Sequence, residues 1–114
     1  MLVIKSLVSG DDRRSVLIFD EPDSGIGGAT AEAVGRKIKD YSINHQVLCV
    51  THLAQVARFA DNHITVRKEH LNNSTKVIAN VLNGEERVDE LARMMGGIKI
   101  TKKTIDAARE MITH

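Results

Sequence analysis

Two apolar runs in this chain end abruptly in polar side chains suited to catalysis. Val16, Leu17, Ile18 and Phe19 stop at Asp20 and Glu21, and Val47, Leu48, Cys49 and Val50 stop at Thr51 and His52. Neither run alternates apolar with polar positions. Such continuity predicts strands covered on both faces, the habit of parallel sheets. Between the runs, Ala31, Val34, Ile38 and Tyr41 recur at helical spacing, so residues 29–43 are expected to form a helix with one apolar face. Glu32 and Arg36 make a favourable i, i+4 pair on that helix. Strand, helix and strand in this order predict a βαβ unit whose strands are parallel neighbours or near neighbours.

The pattern then changes period. Leu53, Val56, Ala57 and Ala60 mark a short helix directly after His52. Residues 63–68 and 75–82 alternate apolar and polar positions, with Leu71, Asn72, Asn73 and Ser74 between them as good turn chemistry. This predicts a β-hairpin with one wet face. Val88, Leu91, Ala92 and Met95 return to helical spacing. Acidic residues precede them and Arg93 follows near the end, matching the helix dipole, and Gly96 and Gly97 stop the helix. Thr101 is placed to cap a last helix with Ile105, Ala108, Met111 and Ile112 inward. At the other end, Leu2, Val3, Ile4, Leu7 and Val8 suggest an amphipathic helix that begins without a cap, as if cut from a longer one. Residues 9–14 read as a polar connection. No internal repeat, low-complexity segment or domain boundary is evident.

Composition narrows the picture modestly. A chain of 114 residues fits one small domain, and 3% aromatic content makes its core aliphatic. The net charge of +1 argues neither for nor against nucleic acid. Lys99, Lys102 and Lys103 form a small cluster best read as a solvated helix start, and no basic stripe interleaved with aromatics is present. One cysteine, Cys49, excludes an internal disulfide and fits a buried thiol in a reducing, cytoplasmic compartment. No apolar stretch reaches the roughly 20 residues of a membrane span. No secretory signal is expected from residues 1–8, which are apolar but interrupted by Lys5.

The chemistry concentrates at the strand ends. Side chains alternate in direction along a strand, so Asp20 and Glu21 can take separate roles. One carboxylate can hold a hydrated Mg²⁺, which accepts few carboxylates and keeps its waters. The other can orient or deprotonate an attacking water. Pro22 should press Glu21 into extended geometry and end the strand. His52 leaves a second parallel strand, so it should emerge at the same sheet edge, where ligands of open α/β sheets bind. Taken alone, Asp20 and Glu21 read equally well as a solvated pair opening a turn. His52 alone reads more readily as a capping or surface histidine. His45, His63, His70 and His114 show no metal-ligand spacing. Asp23, Ser24, Gly25, Ile26, Gly27 and Gly28 follow the carboxylates directly. Their glycines permit close backbone approach or simply make a flexible turn, and they do not match a phosphate-binding fingerprint.

Together these residues resemble the second half of an ABC-type ATPase head. Leu17 to Glu21 resembles a Walker B strand with its catalytic glutamate, residues 23–28 a D-loop, and Thr51-His52 a switch histidine. The stretches FDEPDSGIGGATAEAVGRKI, HQVLCVTHLAQVARFADNHITVRKE and EERVDELARMMGG resemble the C-terminal head of the RecN family, SMC-like ATPases of bacterial DNA repair. The glycine-bearing D-loop and the EERV…ARMMGG stretch separate that family from transporters and from other SMC-like heads. Pro22 departs from the family pattern, which has an aliphatic residue there.

The resemblance implies an α/β fold: a partial P-loop head with parallel strands, flanking helices, a β-hairpin and C-terminal helices, lacking the N-terminal part of its lobe. It implies Asp20 as a water-mediated Mg²⁺ ligand, Glu21 as the water-activating base and His52 as the sensor of the γ-phosphate of ATP. Asp23, Ser24, Gly25, Gly27 and Gly28 would contact nucleotide and partner head in an ATP-sandwiched dimer. The implied partners are the N-terminal part of the same head, a second head in a homodimer, and DNA through the full-length protein, with nucleoid association and no membrane. Walker A, LSGG-type signature, Q-loop and coiled-coil arms are absent from these residues. The chain is therefore expected to be a C-terminal head segment, inert toward ATP when isolated. The alternative from another class is a non-catalytic self-association module built on an uncovered sheet. A stand-alone Mg-dependent hydrolase would need a substrate-gripping element that the sequence does not show.

Overall fold

The computed structural model describes residues 16–21 and 25–113. The expected helix at residues 1–8, the connection at 9–14, and Pro22, Asp23, Ser24 and His114 lie outside the described residues. The chain divides after Phe59 into two compact units, where the sequence suggested one undivided domain.

The first unit holds strand β1 (Val16–Asp20), helix α1 (Gly28–Tyr41), strand β2 (Gln46–Val50) and the short helix α2 (Ala54–Ala57). β1 and β2 pair in parallel, with Ile18 opposite Leu48 and Asp20 opposite Val50. This is the predicted βαβ unit with its strands as direct neighbours. Ala31, Ile38 and Val56 form the buried cluster, with Phe19, Val34, Val47, Cys49 and Leu53 packed against it. α1 thus covers one face of the sheet, the face carrying Leu17, Phe19, Val47 and Cys49.

The expectation of two covered faces does not hold among the described residues. Burial alternates strictly along both strands, and Ile18 remains 70% exposed, Val50 56% and Leu48 49%. A two-stranded sheet with helices on one side can shield only that side. The continuous apolar pattern is thus a sequence feature that the described elements do not use.

Gly35 lets α1 and α2 approach closely. A Cβ there would sit 2.7 Å from a Phe59 ring carbon and 3.1 Å from the Val56 Cα. Arg36 and Arg58 both contact Glu32 (3.2 and 3.3 Å), and both guanidiniums lie over the Phe59 ring at 5.5 and 5.0 Å from its centroid. The predicted Glu32–Arg36 pair is present and is extended to α2 by Arg58.

The second unit holds strands β3 (Ile64–Leu71) and β4 (Ser74–Val81) and helices α3 (Gly84–Gly96) and α4 (Lys102–Thr113). β3 and β4 form an antiparallel hairpin closed by Asn72 and Asn73, with φ of 37° and 68°. Two consecutive left-handed residues make the type I′ turn that matches strand twist, and asparagine tolerates it best after glycine. The hairpin has a wet face, and it is the apolar one. Ile64, Val66, Val77 and Val81 share one face and are all more than half exposed, while only Thr65 is buried.

α3 begins with a capping box that the acidic cluster only hinted at. Asn83 Oδ1 accepts the Glu86 N–H at 3.0 Å, and Glu86 Oε1 accepts the Asn83 N–H at 3.1 Å. Gly97, at φ 64°, ends the helix as predicted. α4 packs on α3 with Leu91, Ala92 and Ala108 fully buried. Thr101 caps α4 through its hydroxyl, which accepts the Thr104 N–H at 3.2 Å. Arg109 on α4 clasps the Glu85 carboxylate with two N–H bonds of 2.9 and 3.2 Å.

Candidate functional site

Parallel pairing delivers the carboxyl ends of β1 and β2 to one edge. The strands end in register, Asp20 opposite Val50, so the residues that follow leave the sheet side by side. Asp20 is exposed and belongs to the bare face, in line with Val16 and Ile18. Glu21 leaves the strand: its N–H donates to the Val50 carbonyl at 2.8 Å, and its φ is 45°.

That geometry corrects the expectation that Pro22 presses Glu21 into extended form. Left-handed backbone is costly for a residue with a Cβ, on the order of 1–3 kcal/mol. The bond to Val50 fixes the amide of Glu21 while the chain turns away. The alternation rule therefore stops at Asp20, and the direction of Glu21 is set by this turn.

The turn aims Glu21 at His52. Glu21 Oε1 and His52 Nδ1 are 3.9 Å apart, and both side chains are more than half exposed. The separation exceeds hydrogen-bond reach, so carboxylate and imidazole flank the same small volume of solvent rather than bonding directly. An exposed pair of this kind contributes little stability. Chemically, it can accept a proton from a molecule held between the two groups.

Of the three glycines in this loop, Gly25 (φ 76°) needs its residue type for backbone reasons. Gly27 precedes α1, and its carbonyl accepts the Ala31 N–H at 2.9 Å. An added Cβ would meet nothing within 4 Å at Gly25 or Gly27, and only the Gln55 amide at 3.6 Å at Gly28. The backbone here is open to a second surface. Asp23 and Ser24 lie outside the described residues.

Among the described residues no group of three or more His, Cys, Asp or Glu side chains is arranged to hold a metal. Asp20 is an exposed carboxylate at the end of β1. That donor set suits Mg²⁺ carried in with substrate phosphates, which needs one or two carboxylates and water, and it does not suit a dedicated protein cage. The shallow depression lined by Lys37, Asp40, Tyr41, Asn44 and His45 lies where α1 leads into β2, at the opposite end of that strand from His52. Sequence reading did not anticipate the role of the Thr51 hydroxyl, which accepts the Leu53 N–H at 3.1 Å across His52. The available signal was a threonine three residues before a helix start.

No family model matches the chain. Individual proteins do. The chain is 41% identical over 112 residues to the DNA repair protein RecN of Bacillus subtilis, 43% over 114 residues to that of Rickettsia bellii, and 42% over 112 residues to that of Treponema pallidum. All three of these relatives are RecN proteins. These alignments cover 98–100% of the chain but only 19–21% of each relative, so the chain spans about a fifth of a RecN protein. A solved chain from a study of ATP-driven dimerization and DNA-stimulated activation of SMC ATPases matches with a TM-score of 0.56 at 23% identity. That match covers 74% of this chain and 50% of the other. The fold shared with that chain is α/β, with a parallel pair, an antiparallel hairpin and flanking helices. No described helix is long and apolar enough to cross a membrane.

Proposed function

We propose that this chain is the C-terminal part of a RecN-like ATPase head acting in DNA double-strand-break repair and recombination. It supplies one half of a composite nucleotide site. The observation that carries this reading is the edge where parallel β1 and β2 present Asp20, Glu21 and His52 together, with Glu21 and His52 at 3.9 Å.

Asp20 is the residue that would hold Mg²⁺, which when bound neutralises phosphate charge. Glu21 accepts the proton of the attacking water. His52, beside it, donates a hydrogen bond to the terminal phosphate of ATP. The open backbone at Gly25, Gly27 and Gly28 faces a second head in a homodimer and its nucleotide, and the same contact is assigned to Asp23 and Ser24 by their place in the sequence. Walker A and signature contacts come from other parts of the full protein, as do the DNA contacts, and the setting is the nucleoid in the cytoplasm. The isolated chain is inert toward ATP because its sequence carries no Walker A motif to grip phosphate.

The test joins residues 1–114 to the N-terminal head portion of a RecN relative. The joined head should hydrolyse ATP. Glu21→Gln should lower kcat by about 10²–10⁴-fold, the usual contribution of a general base, with a much smaller change in KM. Unchanged turnover in that variant would remove Glu21 from the reaction. A second reading, self-association of the isolated chain, is favoured by the bare β1–β2 face.

A further inference from the structure

The chain turns between β2 and α2 through three residues, Thr51, His52 and Leu53. Both sides of this turn are anchored. Val50 is fixed by pairing with β1 and by accepting the Glu21 N–H at 2.8 Å. Leu53 packs against the cluster of Ala31, Ile38 and Val56, and its carbonyl accepts the N–H groups of Val56 and Ala57, each at 3.1 Å. The hydrogen bond from the Leu53 N–H to Thr51 Oγ1, 3.1 Å, spans His52 and ties its two neighbours together. The imidazole itself is 63% exposed. Packing around the ring therefore does little to aim it, and its aim is inherited from the backbone of this turn.

We propose that Thr51 is a positioning residue whose hydroxyl holds His52 beside Glu21. This rests on the reading of His52 as a group of the nucleotide site. The hydroxyl is the feature that matters: serine keeps the acceptor, whereas valine keeps the shape and leaves the Leu53 N–H without it. Losing one such bond should loosen the turn by about 3- to 10-fold in its closing equilibrium.

Solution NMR of the 114-residue chain reads this directly. In the parent chain and in Thr51→Ser, the His52 ring should show a nuclear Overhauser contact to the Glu21 side chain, and the Leu53 amide should be protected from exchange. In Thr51→Val that contact should weaken and Leu53 exchange should rise about 3- to 10-fold, while the methyl signals of Ala31, Ile38 and Val56 stay in place. An unaltered His52–Glu21 contact in Thr51→Val would overturn the proposal. So would collapse of the core methyl signals in both Thr51→Val and Thr51→Ala, because the hydroxyl would then hold the whole corner rather than the histidine. ATP turnover of the joined head separates the two levels. Normal turnover in His52→Ala would defeat the nucleotide role of His52 and leave the positioning result standing.

Discussion

At the residue scale, Asp20, Glu21 and His52 were legible because apolar runs stop at them, and strand pairing brought them to one edge. The φ of 45° at Glu21 was not legible. Pro22 argued for the opposite, and the bond to the Val50 carbonyl depends on a partner strand far along the chain. Gly35 was hidden for the same reason: its need for glycine comes from Val56 on α2 and from Phe59 just after it. Gly35→Ala gains helix propensity of about 1 kcal/mol but forces a Cβ to 2.7 Å from the Phe59 ring. Overpacking typically costs about 1–3 kcal/mol, and the Val56 backbone cannot yield as a side chain would. The variant should therefore unfold at lower denaturant concentration than its parent, and a rise in midpoint would contradict the packing account.

His63 supplies a pH prediction at the same scale. Burial, then the nearby Arg87 guanidinium, hold its pKa below the usual 6.5, with Glu90 opposing. Its Nδ1 is buried without a hydrogen-bond partner among the described residues. A lowered histidine pKa means that the unfolded chain takes up the proton first as pH falls. Stability is therefore full above about 6.5 and is lost as pH drops from there toward the folded-state pKa. Glu90, held below its usual range chiefly by hydrogen bonds from Arg93, loses its contribution only at lower pH. Thermal melts between pH 7.5 and 5.5 should show falling stability in the parent and a flatter slope in His63→Gln. Equal slopes would contradict the assignment.

At the scale of elements, both strands of the βαβ unit, the hairpin turn and the three longer helices were legible from periodicity. The boundary of α3 was written as Asn83 followed three residues later by Glu86, a capping signature. Asn83→Ala should cost about 1 kcal/mol, measured as a shift in thermal midpoint, and no shift would mean that the box is not formed in solution. Exposure was not legible at this scale. Period-two alternation in β3 and β4 announces one apolar face, but not whether anything covers it. Ile64, Val66, Val77 and Val81 form that face and lie open among the described residues. The continuous apolar character of β1 and β2 likewise announces two covers, and the described helices supply one.

At the scale of the molecule, these open faces and the alignment to a fifth of the length of RecN proteins point the same way: the sequence is patterned for more surroundings than the described residues supply. An exposed sheet face with an open edge favours self-association. Light scattering at tens of micromolar, a range where exposed apolar surface drives association, should show dimers or larger species. Ile18→Glu should shift them toward monomer. A monodisperse monomer for the parent chain would count against this.

The central claim is that Asp20, Glu21 and His52 form half of an ATPase site and work only with the other half. ATP hydrolysis by the isolated chain, measured beside its Glu21→Gln variant, tests this most directly. The account predicts no turnover above background in either. Turnover by the isolated chain that disappears in Glu21→Gln would contradict it, because the site would then be complete within these 114 residues.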